Sequence, residues 1–285
     1  MSNVGSRGFA GAGLLAVSLL LSACGALERE GYGPTGQPIE TFSAQQIFER
    51  GEYELNANDF ESAAYYFGEV ERLYPYSELA KRALIMQAYS FHKERDYDNS
   101  RSSAQRYIEF FPADEDAAYA QYLLALSYYD QIEEVGRDQG LTFQALQSLR
   151  TVIERYPDSE YARSAILKFD LAFDHLAGKE MEIGRYYLRR DHFTAAINRF
   201  RVVVEDFQTT THTAEALHRL VEAYLSLGLT DEAQTAGAIL GHNFQSTDWY
   251  ESSYSLLAKN GLEPRLFGDH WLAQVYRQMI KGEWL

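Results

Sequence analysis

The sequence predicts an all-α chain built as a stack of about five helical hairpins, and a recurring punctuation and the composition predict it. One pattern returns at LYPYSELAKRA (Leu73–Ala83), FFPADEDAAYA (Phe110–Ala120) and RYPDSEYARSA (Arg155–Ala165), and in degraded form at DFQTTTHTAEA (Asp206–Ala216). Each copy is an aromatic residue, a Pro or its stand-in, a short polar turn and an alanine-rich run. Proline lacks a donor N–H and biases its predecessor away from helix, so each copy is a helix stop followed by a helix start. Only six prolines interrupt 285 residues that are 46% hydrophobic and rich in Ala, Leu, Tyr, Glu and Arg, which favours helix.

The repeat has a register, and internal registers of this kind mark stacked arrays. Counting back from Pro75, Pro112, Pro157 and Gln208, small residues stand twelve positions earlier at Ala63, Ser100, Ala145 and Ala196. Eight positions earlier stand Phe67, Ala104, Leu149 and Phe200, and five earlier stand Val70, Tyr107, Val152 and Val203. Phe60, Tyr97, Thr142 and Phe193 stand fifteen earlier, where each hairpin turns. The pattern resembles the second helix of a tetratricopeptide (TPR) unit, which makes the fold a TPR-like α-solenoid. The spacings of 37, 45 and 51 residues make the units dilated ones.

Taken in order, residues 1–23 are an expected signal peptide, with Arg7 ahead of the apolar run Ala10–Leu21. That run is short for a bilayer span, which needs about 20 residues. It ends in Leu21-Ser22-Ala23-Cys24, which resembles a bacterial lipobox; an ordinary signal with a bystander cysteine is the alternative. By that resemblance Cys24 receives a diacylglycerol and its new amine is acylated, a membrane anchor made stable by more than one chain. Cys24 is the one cysteine, so no disulfide can form within the chain, and Gly25 after it leans toward the outer membrane. Residues 24–41 are expected to be a flexible tether, broken up by Gly31, Gly33, Pro34, Gly36 and Pro38. Stretched out, the tether reaches about 55–60 Å.

Residues 42–245 hold the hairpins. Ser43 with Gln46 offers a capping box for a first helix to Asn56, partnered by Phe60–Tyr74. The next pairs are Glu78–Glu94 with Tyr97–Phe110, and Glu115–Ile132 with Thr142–Tyr156 across a lengthened GRDQG turn at 136–140. Asp114, Glu115 and Asp116 read as an acidic first turn. Tyr161–Ala177 follows, with Ala162, Ala165, Ile166, Phe169, Ala172, Phe173 and Leu176 on an apolar face. Gly178 is expected to bend or interrupt it before Glu180–Arg190 and the partner Phe193–Phe207. The fifth pair is Thr213–Leu227 with Asp231–Leu240, stopped between by Gly228. Residues 246–285 form a helical tail, Asp248–Lys259 and then a last amphipathic helix near Asp269–Ile280.

The formal charge of −15 argues against nucleic acid as a partner, because phosphate binding wants a basic face. Catalytic residues, metal ligands and cofactors are not expected. His92, His175, His192, His212, His218, His242 and His270 never fall at the i, i+4 spacing of a zinc-binding helix. No phosphate-cradling glycine loop or nucleophile elbow is present. Tyrosine is abundant, 21 of 285, and dense in the first three hairpins. Adjacent pairs on a helix cannot both face inward, so Tyr53, Tyr65, Tyr66, Tyr89, Tyr128 and Tyr129 are candidates for a groove that takes extended, aromatic-ended peptides. Plain core packing is the competing explanation. Lys179–Arg201 is locally basic in an acidic chain, and Arg185, Arg189, Arg190 and Arg199 are candidates for docking an acidic protein partner. A solvated helix surface would look the same.

Lipobox, Gly/Pro tether, dilated hairpins and above all KEMEIGRYYLRRDHFTAAINRF (Lys179–Phe200) together resemble the BamD family of outer-membrane assembly lipoproteins. That resemblance implies a non-enzymatic scaffold, lipid-anchored at the periplasmic face of the outer membrane, in the complex that folds and inserts β-barrel proteins. It also implies partners: unfolded outer-membrane substrates at the early hairpins, and a POTRA domain of the barrel-forming subunit BamA at the late ones, with other Bam lipoproteins. The alternatives are a periplasmic TPR coordinator of cell-envelope constriction or peptidoglycan synthesis, which would carry a coiled-coil trimerisation segment, and a peptidoglycan-active enzyme or its activator, which would need a catalytic constellation.

Overall fold

The structure is a computed structural model that describes residues 36–267 and 271–281. The expected signal peptide, Cys24, the tether as far as residue 35, and His270 lie outside the described residues. Every regular element among the described residues is helical, and the chain divides into two compact units, Met1–Asp96 and Tyr97–Leu285.

The first unit holds a 3-10 turn (Ile39–Thr41), α1 (Ala44–Asn56), α2 (Phe60–Leu73) and α3 (Glu78–Glu94). Ser43 and Gln46 form the expected capping box: the Ser43 hydroxyl accepts from Gln46 N and the Gln46 carboxamide oxygen accepts from Ser43 N. The expected tether stops short of residue 41. Ile39 is 1% exposed in a core with Ile47, Phe48, Phe67, Val70 and Ala83, and the Tyr74 hydroxyl donates to Phe42 O at 2.6 Å. A large aliphatic side chain with a buried place to go overrides the flexibility of its Gly/Pro neighbours.

The second unit holds α4 (Tyr97–Phe110), α5 (Ala117–Tyr129), α6 (Gly140–Arg155), α7 (Glu160–Leu188), α8 (Phe193–Asp206), α9 (Thr213–Ser226), α10 (Thr230–Asn243), α11 (Asp248–Lys259) and α12 (Trp271–Lys281). From α4 to α11 each helix packs on the next, while α5 also touches α7, α9 touches α11, and α10 touches α12. All twelve residues at the twelve-, eight- and five-back positions of the repeat are 0% exposed, so the register read from the sequence is the packing register.

The punctuation is a single turn used five times. Tyr74, Phe111, Tyr156, Phe207 and Phe244 each donate N–H to the carbonyl four residues back, at 2.8–3.1 Å. The carbonyl of each accepts, at 3.0–3.1 Å, from the N–H three residues on: Ser77, Asp114, Ser159, Thr210 and Thr247. Ser77, Ser159 and Thr247 then cap the next helix at once. The turns after Phe111 and Phe207 run two residues longer before α5 and α9 begin. In the first of these, Asp114 is a turn carboxylate rather than part of a helical first turn: its Oδ1 accepts from the Tyr107 hydroxyl at 2.6 Å and from Asp116 N at 3.1 Å. Burial and this bond push the Tyr107 phenol far above its usual range. The Phe244 copy has no proline, and Ala233 and Leu240, at the same offsets before Gln245, are 0% exposed.

Gly178 does not interrupt its helix: α7 is continuous over 29 residues. A Cβ at Gly178 would stand 3.2 Å from His212 Nε2 and 3.7 Å from Val135, so this glycine serves close packing, where the sequence suggested a bend or break. The lengthened loop before α6 lies along the middle of α7, where Lys179 Nζ donates to Gly136 O at 2.7 Å and Gln139 meets His175 Nδ1 at 3.1 Å. Ile166, assigned to the apolar face of this helix by its spacing, is 45% exposed.

Candidate interaction surfaces

Of the six tyrosines singled out in the sequence, all but Tyr53 are half-buried, and Tyr53, Tyr66, Tyr89, Tyr128 and Tyr129 lie under cations. In the first unit, the Arg50 guanidinium on α1 lies 4.8 Å from the Tyr53 ring centroid and 5.8 Å from that of Tyr66, and it pairs with Glu54. Tyr65 meets Tyr66 edge-on at 5.3 Å, and both rings pack against the core. Tyr89 shares Lys93 with Phe60, at 5.9 and 5.8 Å. In the second unit, Arg101 covers Tyr128 and Lys168 covers Tyr129, each at 4.7 Å. A cation within about 6 Å of a ring is held by its quadrupole, which fixes both groups at the surface. Of the six, Tyr53 is the most open at 62% exposure; fully exposed Tyr76 caps nothing in this set. The six therefore form separate cation-capped clusters within the two units.

Two features of the second unit escaped the sequence reading. Tyr161 at the start of α7 stacks on Tyr119 and Tyr122 of α5, with centroids 5.1 and 5.5 Å away. Burial, with help from Glu160, pushes the Tyr161 phenol up to about 12. Beside it, Leu167 and Leu171 are each 63% exposed on α7, one helical turn apart. They lie on the side of α7 away from Ala162, Ala165, Phe169, Ala172 and Leu176, so helical periodicity itself leaves these large side chains outside the core.

The basic segment is dispersed by its neighbours. Arg185 reaches from α7 to Glu215 on α9 at 2.8 Å, and Glu215 also meets Arg219 at 3.3 Å. Arg199 on α8 pairs with Glu180 on α7 at 3.0 Å. Arg190 lies over the Tyr186 ring at 4.0 Å and bonds its hydroxyl. Arg189 caps the end of α7 and is exposed. Of the four, Arg189 and Arg190 stand at an open helix tip, whereas Arg185 and Arg199 tie helices together.

Arg185, at the heart of Lys179–Phe200, is thus a tie between helices, and the same stretch lies inside a family match. Residues 40–239 match the family described as YfiO, outer membrane lipoprotein. The chain belongs to the BamD family. A Caulobacter vibrioides protein named outer membrane protein assembly factor BamD is 48% identical over 218 residues, 76% of this chain and 72% of that protein. A Rickettsia prowazekii protein of the same name is 40% identical over 244 residues, 86% of this chain and 94% of that one. A more distant BamD, from Neisseria meningitidis, is 27% identical over 246 residues, 81% of this chain and 90% of its own. The BamD-family match ends within α10, so α11 and α12 lie beyond it. Among the described residues, no helix is long and apolar enough to cross a membrane. Nor, among them, does any group of three or more His, Cys, Asp and Glu side chains gather in a way that could hold a metal ion.

Proposed function

We propose that this chain is a non-enzymatic scaffold lipoprotein, anchored through Cys24 at the periplasmic face of the outer membrane, that supports folding and insertion of β-barrel proteins. The observation that carries this is the BamD-family match across residues 40–239, the repeated hairpins themselves. Unfolded substrates meet Tyr53, Tyr65, Tyr66 and Tyr89 in the first unit and Tyr128 and Tyr129 in the second, five of these rings lying under cations. Amphipathic rings beside guanidinium groups offer stacking and hydrogen bonding to an extended peptide without demanding one sequence. The barrel-forming subunit, through a POTRA domain, meets the α7–α8 tip at Arg189 and Arg190, with Arg185 and Arg199 holding that tip in place. The mechanism is binding alone, with no bond made or broken.

The test is affinity purification of the tagged chain from detergent-solubilised membranes. Co-recovery of a barrel protein bearing POTRA domains is expected, and its repeated absence would sink the proposal. A Cys24→Ala chain should lose acyl labelling and leave the membrane fraction.

A further inference from the structure

Between the start of α9 and the start of α11 lies an open cavity of about 490 Å³, within the roughly 300–1,000 Å³ of small-ligand sites. Two of the hydroxyls that line it are already committed. Thr211 Oγ1 donates to Asp174 Oδ1 at 2.8 Å, and Thr247 Oγ1 donates to Phe244 O at 2.7 Å. Ser246, Asp248 and Ser252 stand exposed in its lining, and neither they nor the Trp249 indole N–H make a hydrogen bond or ion pair among the described residues. Trp249 is half-buried and fixed from α9: the His218 ring and the Arg219 guanidinium each lie 5.3 Å from its centroid. Arg219 is itself held, by Glu215 at 3.3 Å and Glu222 at 2.7 Å. The α11 side of the cavity lies beyond residue 239, where the family match ends, so family membership does not account for it.

The lining selects by charge. An anion would meet the Asp248 carboxylate, and no described residue of the lining carries a positive charge to offset it. A cation would find its place over the indole taken by Arg219, and would be left with one exposed carboxylate, a pairing worth little in water. A neutral ligand can use everything that remains: a carboxylate that accepts, two hydroxyls that both donate and accept, and an indole that donates N–H and offers an apolar ring. A hexopyranose has the complementary form, with hydroxyls around its edge and apolar C–H groups on its face. We propose that this cavity is a saccharide site. Trp249 stacks on the sugar ring, Asp248 accepts from its hydroxyls, and Ser246 and Ser252 bond those that are left. Because the polar lining is exposed, one sugar unit can enter while the rest of a glycan chain stays in solvent. The site shares no residue with the tyrosine clusters or the α7–α8 tip.

The probes are chitotriose and maltotriose, titrated calorimetrically into the full chain in a detergent without a sugar headgroup. At least one should bind with a Kd of about 1 mM or tighter. Binding of chitotriose alone supports the site and assigns it to an N-acetylated glycan; binding of maltotriose alone supports it and assigns a plain one. Asp248→Asn keeps the shape, removes the charge and should weaken binding about tenfold with the thermal midpoint unchanged. Ser252→Leu fills the cavity from an exposed position and should abolish binding, which keeps the test open even if Trp249→Ala disturbs the packing of α9 on α11. Failure of both sugars to bind at about 10 mM overturns the proposal. Affinity unchanged in both Asp248→Asn and Ser252→Leu places the sugar elsewhere and overturns it too. So does tighter binding of inorganic phosphate or of free lysine than of either trisaccharide.

Discussion

Phe200 lies so close to Gly184 that a Cβ on the glycine would stand 2.4 Å from the ring's Cε1. The same contact, at 2.8 Å, joins Gly51 to Phe67, so the two hairpins share one device for bringing their helices together. In an ordinary helix Gly→Ala stabilises by about 1 kcal/mol. Here Phe200 is 0% exposed and cannot swing aside, and overpacking costs roughly 1–3 kcal/mol. Gly184→Ala is therefore expected to lower stability by up to about 2 kcal/mol net, read as a drop in the thermal midpoint. A raised midpoint would show that the ring yields.

The Arg185–Glu215–Arg219 chain separates structural from docking arginines. Arg185→Ala strips Glu215 of one of two partners in a partly buried site and should cost about 1 kcal/mol of stability. Arg189→Glu should leave the thermal midpoint unchanged while reducing recovery of the barrel partner in pull-downs. If both changes destabilise alike, the division between tip and strut is wrong.

Three non-glycine residues sit at left-handed backbone angles in the turns inside hairpins: Asn58 at φ 61°, Arg95 at φ 65° and Asp191 at φ 58°. Gly228 fills the corresponding place before α10 at φ 73°. Arginine pays most for this conformation, so Arg95→Gly is expected to raise stability by about 0.5–1 kcal/mol, less the entropy glycine gains in the unfolded chain. Denaturant titration measures this directly.

Burial alone would raise the Glu222 carboxyl, but hydrogen bonds with His218 and Arg219 outweigh it and hold the group below its ordinary value of 4.5. A depressed carboxyl contributes stability above its unfolded value and loses it as pH falls through the folded one. Glu222→Gln should therefore destabilise the α9–α11 region at neutral pH, and the gap to the parent should close as the pH drops below 4.5. A gap that persists in acid would place the effect in packing instead of charge.

The fold was legible because its signal is local. Aromatic caps, Ser/Thr starts and small-residue positions such as Ala63 and Ala196 each act within a few residues of where they stand. What escaped depended on distant neighbours. Gly178 reads as a breaker until His212 and Val135 are beside it, and Arg185 reads as a free surface charge until Glu215, thirty residues on, is opposite. The tyrosines stand out by their excess; the cations over Tyr128 and Tyr129 come from Arg101 and Lys168, far away along the chain, whereas Arg50 and Lys93 lie one helical turn from Tyr53 and Tyr89 and are readable from the spacing. The Phe244 turn was missed because proline stood in for the geometry, which in fact belongs to the aromatic cap and the carbonyl behind it.

The uninterrupted α7 has a mechanical consequence. At 1.5 Å per residue its 29 residues make a rod about 43 Å long. Its first half is bolted to Leu149 and Val152 of α6 through Ala165, and its second half to Phe200 of α8 through Met181. Bending between the two would break backbone hydrogen bonds that nothing nearby could replace. A load taken up by Arg189 at one end would therefore be passed along the rod toward Leu167 and Leu171 in its first half, with no bend between to absorb it.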